Sequence, residues 1–313
     1  MIPIGLMFHH FRDGGRHLAG QGAISADQFD ALLDAYADRI LCAREWRERR
    51  LRGDLTSGEI CLTFDDGLLC QYDVALPVLQ ARGLTAFWFP YTGPLAGAPD
   101  RLEIYRYFRT LCFPDVDAFY AAFDGFWNGT RWRRRILKGL SDFNPGNYLS
   151  EYPFYSEGDR KFRFIRDRIL GREAFAEVMD SLIDTYPFDP AQARRNLWMD
   201  RRQLRALHED GHIVGLHSHT HPTRITDQPF DEQKWEIDTN AEWLEKTTGD
   251  APDCIAYPCG DYDGRLLAYL DARGIRIGFQ SRLNDASDPM EVPRLDHVLA
   301  MDSLNETSIA KGP

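Results

Sequence analysis

Apolar and polar positions follow two different rhythms along the chain. Up to about residue 94, short apolar runs alternate with stretches of helical period. PIGLMFHHF predicts a strand, SADQFDALLDAYADRI a helix N-capped by Ser25, EICLTFDD a strand, YDVALPVLQARG a helix and LTAFWFP a strand. From about 95 to 196 no strand pattern is found, and RLEIYRYFRTLCF and DAFYAAFDGFW are rich in aromatics and arginine, which predicts a helical insertion. The alternation then resumes. DRRQLRALHEDG predicts a helix, HIVGLHSH a strand, DEQKWEIDTNAEWLEKTTG a helix, CIAYP a strand, GRLLAYLDARG a helix and IRIGFQS a strand. Alternation of this kind implies β/α units around a mostly parallel sheet. Residues 1–94 and 197–313 together predict one barrel, and 95–196 is a candidate substrate cap inserted into it. No internal repeat or low-complexity segment interrupts this plan.

Composition narrows the class. The chain has 313 residues, 43% hydrophobic and 27% charged, the profile of a soluble globular enzyme, with no apolar run long enough to span a bilayer. His9, His10 and Arg12 interrupt the first apolar run where a signal peptide would continue, so MIPIGLMFHHF is read as the first strand of a cytoplasmic protein. The six cysteines, at 42, 61, 70, 112, 254 and 259, have no CxxC or zinc-ribbon spacing and suit free thiols in a reducing compartment. A net charge of −11 argues against a nucleic-acid partner, whose phosphates demand cations. The basic run Arg131, Arg133, Arg134, Arg135 and Lys138 reads first as a solvated helix face, and otherwise as a patch for the phosphate of a carrier-linked substrate.

Two segments carry chemistry. Thr63-Phe64-Asp65-Asp66-Gly67 closes an apolar strand, which places adjacent carboxylates at the C-terminal end of a parallel strand, where barrels gather catalytic groups. Neighbouring side chains diverge there, so one carboxylate can bind a metal while the other faces substrate. Gly67 permits a sharp turn, and a strand end with a plain Asp-Gly turn is the bland alternative. His217-Ser218-His219-Thr220-His221 follows a second apolar run. His217 and His221, four apart, suit one cation, and two histidines with one carboxylate, Asp66, leave a position open for water.

TFDDG, HSHTH and the helix LRALHEDGHIVG leading into the latter resemble the polysaccharide deacetylase family, carbohydrate esterase family 4, over about 60–94 and 197–298. The resemblance implies a distorted (β/α) barrel of about seven strands. It also implies a divalent metal, zinc first with cobalt, manganese or nickel as alternatives, held by Asp66, His217 and His221, with Asp65 as general base. His219 falls at a variable position of the motif and reads as a bystander. Ala256-Tyr257-Pro258-Cys259-Gly260 resembles the third motif but has alanine where many members carry an arginine that orients the base. Arg294, in Val292-Pro293-Arg294-Leu295-Asp296-His297, is the expected replacement. The Cys259 N–H is the expected oxyanion donor, with no triad to make its thiol a nucleophile. Leu295-Asp296-His297 resembles the fifth motif and makes His297 the expected general acid, with His9 or His10 competing for a place in the pocket.

The implied reaction is hydrolysis of an N-acyl group, acetyl or formyl, from an amino sugar. Asp65 takes a proton from the attacking water, and His297 returns one to the departing nitrogen. An intracellular nucleotide-linked or lipid-linked precursor of a surface polysaccharide is the expected substrate, and the aromatic insertion could stack on its rings or simply pack as core. Two rivals are a cyclic-imide or ureide hydrolase on the same fold and a non-catalytic glycan-binding module. Retention of the base and of all three ligands argues against both.

Overall fold

A computed structural model of the chain describes residues 2–20, 22–98, 101–150, 152, 154–285 and 287–310, with side chains as far as Ser303. The chain forms two compact units, one of Met1–Asp100 with Asn196–Pro313 and one of Arg101–Arg195.

The first unit carries the strands β1 (Ile4–Phe8), β2 (Ile60–Asp65), β3 (Phe87–Phe89), β4 (Ile213–Val214), β5 (Cys254–Ala256), β6 (Ile277–Phe279) and β7 (Arg294–Asp296). Five of them form one sheet in the order β4-β3-β2-β1-β7, while β5 and β6 form a pair, and every ladder is parallel. Single parallel bridges, Leu216 to Ile255 and Phe279 to Val292, connect the pair to the two edges of the sheet. The result is the distorted seven-stranded (β/α) barrel expected from the alternation. Every residue of β2 is buried, as a central parallel strand covered on both faces requires.

The strand expected over HIVGLHSH is regular only at Ile213–Val214 because its backbone changes partners. Gly215 N–H still donates to Trp88 of β3, at 2.8 Å, but Leu216 N–H turns to Cys254 of β5, at 2.9 Å. One segment thus spans the seam between the sheet and the pair.

The helices of this unit are α1 (Ala26–Ala35), α2 (Ala43–Arg52), α3 (Leu76–Ala81) and, after the second unit, α10 (Arg201–Glu209), α11 (Phe230–Thr248), α12 (Gly264–Ala272) and α13 (His297–Ala310). Ser25 caps α1 as expected, and Gln28 reaches back to complete a capping box. The helix α2 has no counterpart in the sequence reading. AREWRERRLR buries only Ala43 and Trp46, too thin an apolar stripe to register as helical periodicity. Among the described residues no helix is long and apolar enough to cross a membrane.

The second unit contains α4 (Leu102–Cys112), α5 (Val116–Trp127), α6 (Arg133–Leu140), α7 (Glu157–Phe164), α8 (Gly171–Ile183) and α9 (Pro190–Arg194). Its aromatics are largely its own core: Phe108, Phe119, Phe123, Trp127 and Phe175 are buried together. Those rings are therefore spent on packing and are not available to stack on a sugar. Arg131, Arg133, Arg134, Arg135 and Lys138 are exposed on or beside α6, with Arg131 paired to Glu177.

Candidate metal centre and base

Because the strands are parallel, their C-terminal ends gather at one rim, and most of the sequence-predicted residues collect there. Asp65 is the last residue of β2 and Asp66 follows it, with Gly67 next at φ 64°. A Cβ on Gly67 would come within 2.6 Å of Pro90 Cβ, so only glycine lets the chain leave β2 here. Asp66, Ser218, His221 and Cys259 all hold φ between 51° and 75°, a left-handed conformation costly for residues with a side chain. Among the described non-glycine residues the one other case is Leu149, in the second unit. Strained backbone is thus concentrated at this rim, as is common where function fixes geometry.

Asp66, His217 and His221 each offer a ligand atom within 4.8 Å of the others. The Nε2 atoms of both histidines lie 3.4 Å from one oxygen, Asp66 Oδ1, which is buried and accepts no hydrogen bond. His217 Nδ1 lies 2.7 Å from the Ala256 carbonyl, which as an acceptor demands the proton on Nδ1, so the neutral ring carries its lone pair on Nε2. A lone pair facing an orphaned carboxylate oxygen is repulsive unless a cation lies between them. The donor set of two imidazoles and one carboxylate therefore fits a divalent metal such as zinc. The third-motif segment contributes to this corner through a main-chain carbonyl, which no change of the Ala256 side chain removes.

The neighbouring Asp65 has the opposite environment. Arg294, itself 1% exposed, grips it through both oxygens, Nη1 to Oδ1 and Nη2 to Oδ2, each at 2.7 Å. The guanidinium is held in turn by the Gln280 carbonyl at 2.5 Å and by Thr63 Oγ1 at 3.2 Å. It passes so close to β1 that a Cβ on Gly5 would meet Arg294 Cγ at 3.1 Å. Burial raises the Asp65 pKa, but the Arg294 charge and hydrogen bonds, together with the His217 and His9 rings, outweigh it and hold the carboxyl below its usual value of 3.8. Asp66 is lowered as well, against burial, by the His217, His221 and His9 imidazoles around it.

Gln71, which the sequence did not point to, and His9 join the rim. Gln71, fully buried, donates to the carbonyls of His9 and Asp65, at 2.8 and 2.5 Å, and so ties the end of β1 to the end of β2. His9, whose role the sequence left open, has Nε2 at 3.8 Å from Asp65 Oδ2 and a side chain 33% exposed. A histidine directly past the first strand was the available signal, whereas Gln71 carries none.

The remaining expected residues are placed less simply. Cys259 is exposed in the turn Pro258–Gly260 just past β5. His219 is buried with Nδ1 2.9 Å from Thr92 Oγ1 and lies outside the ligand cluster. His297 differs from expectation. It is buried against Phe8, with Nδ1 3.2 Å from the Met7 carbonyl and Nε2 2.8 Å from that of Gly22. Both nitrogens face main-chain carbonyls, to one of which the neutral ring donates, and burial lowers its pKa, so the ring is poorly placed to hand a proton to a substrate.

Comparison with known proteins agrees with this picture. Residues 175–278 match the family model described as polysaccharide deacetylase, a stretch that includes HSHTH and ends within β6. No curated protein matches the chain. Among solved structures, the Streptococcus pyogenes deacetylase PplD in complex with acetate is similar, at 16% identity and TM-score 0.55, covering 94% of this chain and 91% of that one. IcaB from Ammonifex degensii is similar at 18% identity and TM-score 0.53, covering 94% and 90%. A de-N-acetylase from Aggregatibacter actinomycetemcomitans is similar at 14% identity and TM-score 0.53, covering 94% of each. The chain thus carries a polysaccharide deacetylase family match over the stretch that holds HSHTH, on a barrel fold it shares with solved deacetylases.

Proposed function

We propose that the chain is a metal-dependent deacylase that hydrolyses the N-acetyl or N-formyl amide of an amino sugar. The observation that carries this reading is the contrast at the end of β2, where Asp66 Oδ1 is left without a hydrogen bond between two imidazole nitrogens while Asp65 beside it is saturated by Arg294. A divalent cation held by Asp66, His217 and His221 would supply Lewis-acid polarisation of the acyl oxygen and an acidified water.

The chain's own residues do the rest. Asp65, ionised across the neutral range, takes a proton from the attacking water, and Arg294 keeps that carboxylate oriented and low in pKa. The main-chain N–H of Cys259 is the proposed donor to the developing oxyanion. For the proton on the leaving amine, His9 is favoured over His297, because it is partly exposed and beside Asp65 while His297 is tied to two carbonyls.

The test is metal content by elemental analysis on the wild-type chain and an Asp66→Ala, His217→Ala variant, with acetate release from N-acetylated amino-sugar oligomers assayed alongside. Near one equivalent of metal is expected in the wild type, with metal and at least about 1,000-fold of activity lost in the variant. A wild type that takes up no metal under reconstitution would sink the reading.

A further inference from the structure

The helix α11 buries polar side chains where an amphipathic helix normally buries apolar ones. Gln233, Glu236 and Asn240 are each less than 5% exposed and recur at helical spacing, so they form one stripe. That stripe faces the segment that carries His217 and His221.

Glu236 accepts three hydrogen bonds from it. Its Oε2 takes the N–H of His219 at 2.9 Å and the N–H of Thr220 at 2.6 Å, and its Oε1 takes the Thr220 hydroxyl. One turn later, Asn240 Oδ1 accepts the N–H of His217 at 2.8 Å. Its Nδ2 donates to the Pro90 carbonyl and to Thr92 Oγ1, both at 3.2 Å. Thr92 in turn meets His219 Nδ1. Three main-chain N–H donors of this segment, those of residues 217, 219 and 220, are thus gripped directly by α11, while the loop after β3 is tied into the same network.

The grip matters because the segment is strained. Ser218 and His221 hold φ of 65° and 51°, which a chain left to itself would relax. A short bond from His221 N–H to Ser218 Oγ, at 3.0 Å, braces the turn locally but does not orient it relative to Asp66. From these contacts we infer that Glu236 and Asn240 are positioning residues that preform the cation site, holding His217 and His221 at metal-binding separation before any metal arrives. The inference rests on the metal reading of Asp66, His217 and His221 and extends it to side chains that touch neither metal nor substrate. It also assigns a part to His219, whose imidazole anchors the loop to Thr92 instead of serving as a ligand.

The chemistry of the partners makes the role separable from simple charge. The two N–H groups share one oxygen of Glu236, and the third partner is a hydroxyl, which can donate or accept. A glutamine can therefore place its carbonyl on both N–H groups and donate its amide to Thr220 Oγ1, whereas an alanine leaves two buried donors without an acceptor. For Asn240, an aspartate keeps the acceptor for His217 but sets a second oxygen against the Pro90 carbonyl.

The experiment titrates the metal-stripped full chain with cobalt(II) chloride and follows the visible absorption of the bound ion, with thermal unfolding of each metal-free variant as the measure of fold. Glu236→Ala and Asn240→Asp should each weaken cobalt affinity about 10- to 100-fold, as loss of supporting contacts around metal ligands typically does. Glu236→Gln should bind within about threefold of wild type, since every donor keeps a partner. If Glu236→Ala does not fold, Asn240→Asp and Glu236→Gln decide the matter on their own. Alanine and aspartate variants that fold and bind cobalt like the wild type would overturn the inference, as would a glutamine variant as weak as the alanine one. Binding by the wild type with no difference among the variants defeats the inference alone, while a wild type that takes up no cobalt defeats the metal reading and the inference together.

Discussion

Asp65 and Asp66 are consecutive residues, both buried, both drawn below the usual carboxylate pKa, yet they occupy opposite electrostatic situations. Asp65 has both oxygens filled by a guanidinium that is itself anchored at Thr63 and Gln280. Asp66 keeps one oxygen unfilled and turned to two imidazoles. The difference comes from the strand end. Successive side chains diverge there, and Asp66 leaves the strand with a left-handed φ of 75°. The lesson is that an arginine-paired carboxylate is held ionised and oriented, with a second lone pair on each oxygen free for a proton, while an unpaired one suits a cation.

If that division holds, the two residues can be separated by experiment. The largest effect is expected for Asp65→Asn, which keeps the shape but removes the base. Activity should fall about 10²- to 10⁴-fold while metal content stays at the wild-type level. Loss of metal in this variant would break the comparison, because it would make Asp65 a ligand as well.

Next comes Arg294→Met. Removing one member of a buried pair leaves Asp65 uncompensated and should cost about 3–5 kcal/mol of stability, read from denaturant unfolding. The pH dependence sharpens the test. With Arg294 present, the folded pKa of Asp65 lies below its unfolded value of 3.8, so the pair adds stability that is complete above that value and is lost as pH falls through the folded pKa. Without Arg294 burial is opposed only by the His217 and His9 rings, and the pKa rises. The acid limb of kcat/KM should therefore move to higher pH, and an unmoved limb would assign the base elsewhere.

The smallest effect separates the two histidines near this corner. His9→Gln should lower activity by about 10²-fold with little change in stability, whereas His297→Gln should act mainly on unfolding, because it deletes a buried ring bonded to the Met7 and Gly22 carbonyls. The reverse pattern in a paired assay of activity and melting temperature would restore His297 as the acid.

Much of this was legible beforehand. The alternation of apolar runs gave the barrel and the position of most strands, and Ser25 capped its helix as its sequence neighbourhood implied. The TFDDG and HSHTH motifs brought Asp65, Asp66, His217 and His221 together because each ends a parallel strand, and parallel strands end on one side. The expectation that Arg294 lies at Asp65 also rested on a short motif, and the ion pair is there.

What the linear pattern could not supply is the pairing of groups distant in the chain. Arg294 and Asp65 are 229 residues apart and meet because β7 and β2 flank β1, with Gly5 leaving room for the side chain to cross. The seam at Leu216, the lock of Gln71 on two strand ends and the commitment of His297 to main-chain carbonyls are likewise products of packing. Glu236 and Asn240 read locally as the polar side of an ordinary helix, and only their burial turns them into partners for the histidine segment. The sequence by itself determined which chemical groups stand at the strand ends, because periodicity and short motifs are local properties. The tertiary structure alone decided which of those groups are satisfied and which are left open, because hydrogen bonding in a buried site depends on neighbours that no local pattern records.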